Sequence, residues 1–196
     1  MPAGKHAGRG RFKEAPVPLL PVVRAKVPPQ AWEPALPAVW NGPGERSPEA
    51  LRAVAAQFDV EHAERYRARD VTGDDRVETW CNIFVWDVTT ALRAEVPHWH
   101  GGRELNANAV CDWLVSFGNL LGWYEGNRGA AHRASGDGMP VVAAWKNERG
   151  GSGHVALLLP PAGDELRIAQ AGKRNYFDVP LERGFGALVP RFYLHP

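Results

Sequence analysis

Apolar residues recur at helical spacing in Leu51, Val54, Ala55 and Phe58, directly behind Ser47-Pro48-Glu49. Serine is a favoured N-cap and proline suits the first helical position, so a helix is predicted to open at Ser47. The stretch Thr79–Leu92, TWCNIFVWDVTTAL, has a different pattern. Its apolar residues cover nearly every face, as in a helix buried at the centre of a domain, and Thr79 is its expected cap. Residues 97–102, PHWHGG, break that helix, and residues 104–121 predict another amphipathic one. From Met139 the pattern becomes that of strands: 140–145, 154–159, 166–170 and 187–194. Asn147–Gly153, NERGGSG, is a glycine-rich hairpin connection between the first two. Helices followed by closely spaced strands predict an α+β domain with an antiparallel sheet.

The N-terminal stretch differs in kind. The first 48 residues hold 10 of the 17 prolines, and residues 1–46 carry seven Lys or Arg against three acids. Proline at that density forbids helix and favours extended chain. Residues 1–46 are therefore expected to form a basic tail or linker, draped through Trp32 and Trp40, and residues 47–196 to form one domain. VPLLPVV is too short and too broken by proline for a secretory signal, and no apolar run spans a bilayer. The overall charge of +1 argues against nucleic-acid binding by bulk electrostatics. No membrane or nucleic-acid partner is expected, and the chain is expected to act as a monomer.

Two cysteines, Cys81 and Cys111, make neither a disulfide framework nor a zinc site. Cys81 falls about two residues inside a predicted helix N-terminus, where free N–H groups and the macrodipole favour the thiolate. His154 follows Gly-Ser-Gly at the start of an apolar strand, an accessible place from which an imidazole can reach a helix end. A third group should orient that ring. Gln170, sixteen residues on, can come level with His154 across an antiparallel hairpin, and Asn175 is the competitor. Cys111, among Val110, Trp113 and Leu114, reads as packing. His98, His100, His132 and His154 have no recognised zinc-ligand spacing.

Trp-Cys-Asn at 80–82, Trp-Lys-Asn at 145–147, Gly-His-Val-Ala at 153–156 and Gln-Ala-Gly at 170–172 together resemble the CHAP and NlpC-type branch of the papain-like superfamily. The resemblance covers roughly residues 48–194. It implies a papain-like domain whose N-terminal central helix carries the nucleophile and packs on an antiparallel sheet. It further implies a cysteine amidohydrolase or peptidase, often acting on peptidoglycan through a thioester, with Cys81 as nucleophile and His154 as base. The family's third residue is often Glu, Asn or His, so Gln170 departs from it. Trp80, Trp145 and the segment 98–100 are candidates to line a substrate groove.

Asp70, Thr72, Asp74 and Glu78 fall at positions one, three, five and nine of a calcium-loop pattern. Position six is Asp75 rather than glycine, and position twelve is Cys81 rather than glutamate. The chemistry requires no cofactor, and a structural calcium just ahead of the nucleophile is the one metal the resemblance raises. The competing expectations are a noncatalytic wall-binding or calcium-stabilised module, and an acyl transferase or transamidase using the same cysteine. Without a signal, a wall-directed enzyme would be made in the cytoplasm and reach its substrate by non-classical export, delivery or lysis.

Overall fold

The computed structural model describes residues 46–196; the expected tail, with Trp32 and Trp40, lies outside the described residues except for Arg46. Helix α1 (Pro48–Ala56) opens where its cap predicts, with Ser47 Oγ accepting from the Ala50 N–H at 3.1 Å. Helix α2 (Cys81–Ala91) is buried on almost every side, as its pattern requires. Its start corrects the sequence reading: Trp80 is the cap residue, makes no side-chain capping bond, and leaves Cys81 as the first helical residue.

Residues 104–121 do not form one helix. A two-residue ribbon, β1 (Trp99–His100) against β2 (Arg103–Glu104), turns through Gly101 and Gly102, both at positive φ. Helix α3 (Ala107–Ser116) then begins behind Asn106, whose Oδ1 accepts from the Ala109 N–H at 3.0 Å. That cap is a stronger start signal than Glu104. A 3₁₀ turn (Gly118–Leu121) ends the segment at Gly122, φ 88°. Next come β3 (Tyr124–Gly126) and α4 (Arg128–Gly136). Helix α4 buries only Ala131, Ala134 and Ser135, so its sequence shows no large-residue period.

The remaining elements are β4 (Val141–Trp145), β5 (His154–Ala162), β6 (Glu165–Gln170), β7 (Tyr176–Pro180), α5 (Leu181–Phe185) and β8 (Arg191–Leu194). They complete a six-stranded sheet of order β3-β8-β4-β5-β6-β7, antiparallel at every pairing. The fold is α+β. Strand alternation sends Val142, Ala144, Val155 and Leu157 to one face, under α1, α2 and α3. Val141, Ala143, Ala156 and Leu158 go to the other, under α4 and α5. Among the described residues no helix is long and apolar enough to cross a membrane.

A polar lock fastens the chain before α2 to that helix. Arg65 donates to both carboxylate oxygens of Asp87, at 2.6 and 2.9 Å, and the Tyr66 hydroxyl donates to the same carboxylate at 2.6 Å. Asn175 continues the connection. Its Nδ2 donates to the carbonyls of Val60 and Tyr66, and its Oδ1 accepts from the Gly172 N–H.

Candidate active site

Cys81 stands at the first position of α2, and its sulfur is approached by the backbone N–H groups of Cys81, Asn82 and Val155. Val155 immediately follows His154, so helix α2 delivers the thiol to the start of β5. The cause is packing: α2 is apolar on almost every side, and its first residue is buried against Val155 at the start of β5.

His154 Nε2 lies 2.5 Å from Gln170 Oε1. The Gln170 amide nitrogen donates to the Arg174 carbonyl at 3.3 Å, which orients its oxygen toward the histidine. An amide oxygen can only accept, so Nε2 carries the proton and Nδ1 keeps its lone pair. Phe185 packs on the imidazole with ring centroids 4.9 Å apart. Gly184 leaves room for Gln170, since a Cβ there would lie 2.3 Å from Gln170 Oε1. Of the two candidates, Gln170 meets the imidazole, whereas Asn175 bonds to Gly172, Val60 and Tyr66.

The thiol and the imidazole reach the strand end from different sides. Cys81 packs with Val85, Val142, Ala144 and Val155 on the α2 face. His154 turns toward Gln170 and Phe185 on the α5 face. Among the described residues no hydrogen bond joins the two.

Burial also corrects the expected charge state. Cys81 is 4% exposed, and burial pushes its thiol up, outweighing the three backbone N–H groups that favour the thiolate. Burial likewise lowers His154, against the opposing Gln170 hydrogen bond. The resting pair is therefore a neutral thiol and a neutral imidazole rather than an ion pair. Cys111, in the same apolar cluster, is pushed up to about 12, first by burial and then by Asp112, which fits a packing role.

A groove of about 1030 Å³ runs beside the helix start. Trp80, Trp99, Asn82, Asn106, Glu104 and Ser152 line it, together with the acidic loop. Trp80 is fixed by its Nε1–H bond to the Arg67 carbonyl at 2.9 Å, with Arg69 over its ring. Trp99 is 52% exposed. Trp145 departs from expectation. It pairs with His154 in register and packs against the α4-side cluster, outside the residues that line the groove. The lining roles of Asn82, Asn106 and Ser152 had no signal in the sequence, because the loops that carry them meet only in the fold.

Asp70, Asp74 and Glu78 bring carboxylate oxygens within 4.8 Å of one another. Thr72 Oγ1 donates to Asp74 at 2.8 Å and approaches Glu78 Oε1 at 3.3 Å. Asp75, at the position where the calcium pattern has glycine, adopts φ 63°. The donor set is hard oxygen throughout, which suits calcium. The histidines do not assemble. His98 stacks on Trp86 at 4.9 Å, and His132 Nε2 lies 2.7 Å from the Gly163 carbonyl.

Three histidines make stability depend on pH. His98, His154 and His195 are each lowered chiefly by burial, with Arg46 adding to the effect at His195. The unfolded chain, titrating near ~6.5, then binds more protons than the folded one just below that pH. Stability is expected to fall as pH drops through 6.5 toward the lowered values. Exposed His62, raised by Asp59, acts in the opposite sense and is screened by solvent. Melting temperatures between pH 8 and pH 5 test this, and an unchanged midpoint would refute it.

No protein-family model and no curated protein matches the chain.

Proposed function

We propose that the protein is a cysteine amidohydrolase or peptidase of papain-like, CHAP/NlpC-like type that cleaves an amide of peptidoglycan through a thioester. One observation carries the reading. A helix-first cysteine abuts the residue after a histidine, and that histidine's far nitrogen is held by a glutamine, leaving Nδ1 to act as base. The groove beside the helix start has room for an extended substrate; Trp80 and Asn82, on either side of Cys81, line it, while Cys81 and His154 do not.

In the proposed reaction, His154 Nδ1 receives the Cys81 proton around the strand end, through one bridging water because no hydrogen bond joins the two groups directly, as the sulfur bonds to the amide carbon. The backbone N–H of Cys81 donates to the oxyanion. The tetrahedral species then breaks its C–N bond, and the imidazolium gives its proton to the departing amine. Water attacks the thioester with His154 again as base, releasing the acid and restoring the thiol. Gln170 accepts from the Nε2–H throughout and holds the tautomer, while Trp80 and Trp99 bound the substrate.

Mass spectrometry of peptidoglycan digested with the wild type and with Cys81→Ala tests the reading. New fragments carrying a freed amine and acid are expected with the wild type alone. Identical products from both proteins would sink it.

The burial of Cys81 favours one second reading, a noncatalytic wall-binding module. It predicts retention of both proteins on insoluble wall with no new fragments from either.

Asp70, Asp74 and Glu78, with Thr72, would hold a structural calcium and stiffen the loop that enters α2. Millimolar calcium is then expected to raise the melting temperature over a chelator control, with the rise lost in Asp74→Ala. An equal shift in that variant would remove the site from the proposal.

A further inference from the structure

The loop that leads into His154 has one internal hydrogen bond, from the Arg149 N–H to Asn147 Oδ1 at 3.1 Å, and it lies before the glycines. Gly150 and Gly151 both sit at positive φ, 89° and 90°, so the connection has little conformational preference of its own. One side chain from another element braces it with two hydrogen bonds and packs against a third point. Asn108, in the first turn of α3, accepts from the Asn147 N–H at 2.9 Å through Oδ1. Its Nδ2 donates to the Gly151 carbonyl at 2.8 Å. Gly153 lies so close that a Cβ there would be 2.4 Å from Asn108 Oδ1 and 2.7 Å from the Trp145 carbonyl. Asn108 thus spans the loop from its start to the residue before His154.

We infer that Asn108 is a positioning residue for His154: by clamping Asn147, Gly151 and Gly153 it sets where β5 begins and how far the imidazole is carried toward Cys81. The inference rests on the proposed catalytic pair and deepens it. An α3 side chain suits the task because α3 also buries Cys111 and Val110 in the cluster that holds Cys81. The clamp and the thiol therefore share one rigid frame. Each of the two hydrogen bonds constrains a different point of the loop, so one amide supplies both donor and acceptor where aspartate or alanine cannot. Ser152, on the same loop, lines the groove, so the clamp also fixes one groove wall.

The test compares the full-length wild type with Asn108→Ala and Asn108→Asp. The first readout is the His154 imidazole resonance, assigned by its disappearance in His154→Ala and followed through a pH titration. Its contacts in this structure are uncharged: the Gln170 amide, the Phe185 ring and Gly172. Loosening the loop should admit water and move the titration midpoint up toward that of a free imidazole. The second readout is amine release from peptidoglycan. Asn108→Ala is expected to lower kcat on the order of 10²-fold, the cost of a small misplacement. Asn108→Asp keeps the acceptor for Asn147 N–H, loses the donor to Gly151, and should fall between the two in amine release; its carboxylate raises the imidazole whether or not the loop loosens, so only that readout bears on the clamp.

A His154 resonance in Asn108→Ala that titrates as in the wild type overturns the inference. Where the alanine variant melts too low for titration, Asn108→Ser, which adds no charge beside the ring, carries the same comparison. A wild type that releases no amine defeats the enzymatic reading alone, since the titration still decides whether Asn108 positions the ring.

Discussion

Asp87→Ala is expected to lower the stability of the fold by about 3–5 kcal/mol. Domains of this kind are stable by only about 5–15 kcal/mol, so the variant should be largely unfolded at modest urea concentrations. The reason is the lock between residues 65–66 and α2. The Asp87 side chain is 0% exposed and that of Arg65 is 4% exposed. Arg65 meets the carboxylate through two nitrogens, and Tyr66 adds a third donor. Burial alone would lower Arg65, but the hydrogen bonds and charge of Asp87 outweigh it and hold the guanidinium raised. Removing the carboxylate leaves a buried cation without its counter-ion, which is far costlier than never having buried the pair. Replacing all three at once, with Arg65→Met, Tyr66→Phe and Asp87→Leu, should therefore restore most of the loss. Urea midpoints of the single and triple variants measure the contrast. A loss under about 1 kcal/mol in Asp87→Ala would show that the lock is ordinary surface electrostatics.

Cys81→Ala should abolish amine release, with kcat falling at least ~10³-fold, because the thioester route vanishes with its nucleophile. Cys81→Ser should be nearly as inactive, since a buried hydroxyl is a weaker nucleophile than sulfur facing the same neutral imidazole. His154→Ala should match either of them, and the double variant should be no worse than the worse single, as for residues that act as one unit. Additive losses would mean that the two side chains do not share a step. Because burial raises the thiol and lowers the imidazole, activity should rise with pH through the lowered His154 value rather than require a preformed ion pair. Full activity of Cys81→Ala, or a rate that declines across that range, would contradict the mechanism. Both cysteines are buried and free, and replacing Cys111 alone should act on packing rather than on the chemical step.

Elements whose signals are local were legible before any fold was known. Ser47-Pro48 marked the start of α1 because a cap and a first-turn proline act within four residues. The all-round apolarity of 81–91 announced a central helix, and the runs at 141–145, 154–159 and 166–170 announced strands. His154 and Gln170 do meet, but not level as their spacing suggests: the register sets Leu157 opposite Ala169 and shifts between Leu159 and Ala162, so the hydrogen bond runs diagonally between strand positions on one face. Weak local signals misled. Thr79 looked like a cap, yet α2 begins at Cys81 behind Trp80. Glu104 fits a helical pattern, yet it lies in β2 and the cap of α3 is Asn106. Helix α4 buries small residues alone and carried no period to read.

The order of helices before strands and the acidic loop with its cluster of carboxylate oxygens were written in the chain, because each depends on near neighbours. The sheet order β3-β8-β4-β5-β6-β7, the burial that neutralises Cys81 and the placing of Trp145 away from the groove arose only from packing. The same holds for the grip of Asn108 on the loop before His154. Charge state and clamping depend on what the rest of the molecule excludes from water and presses against a residue, and no stretch of neighbouring letters encodes that environment.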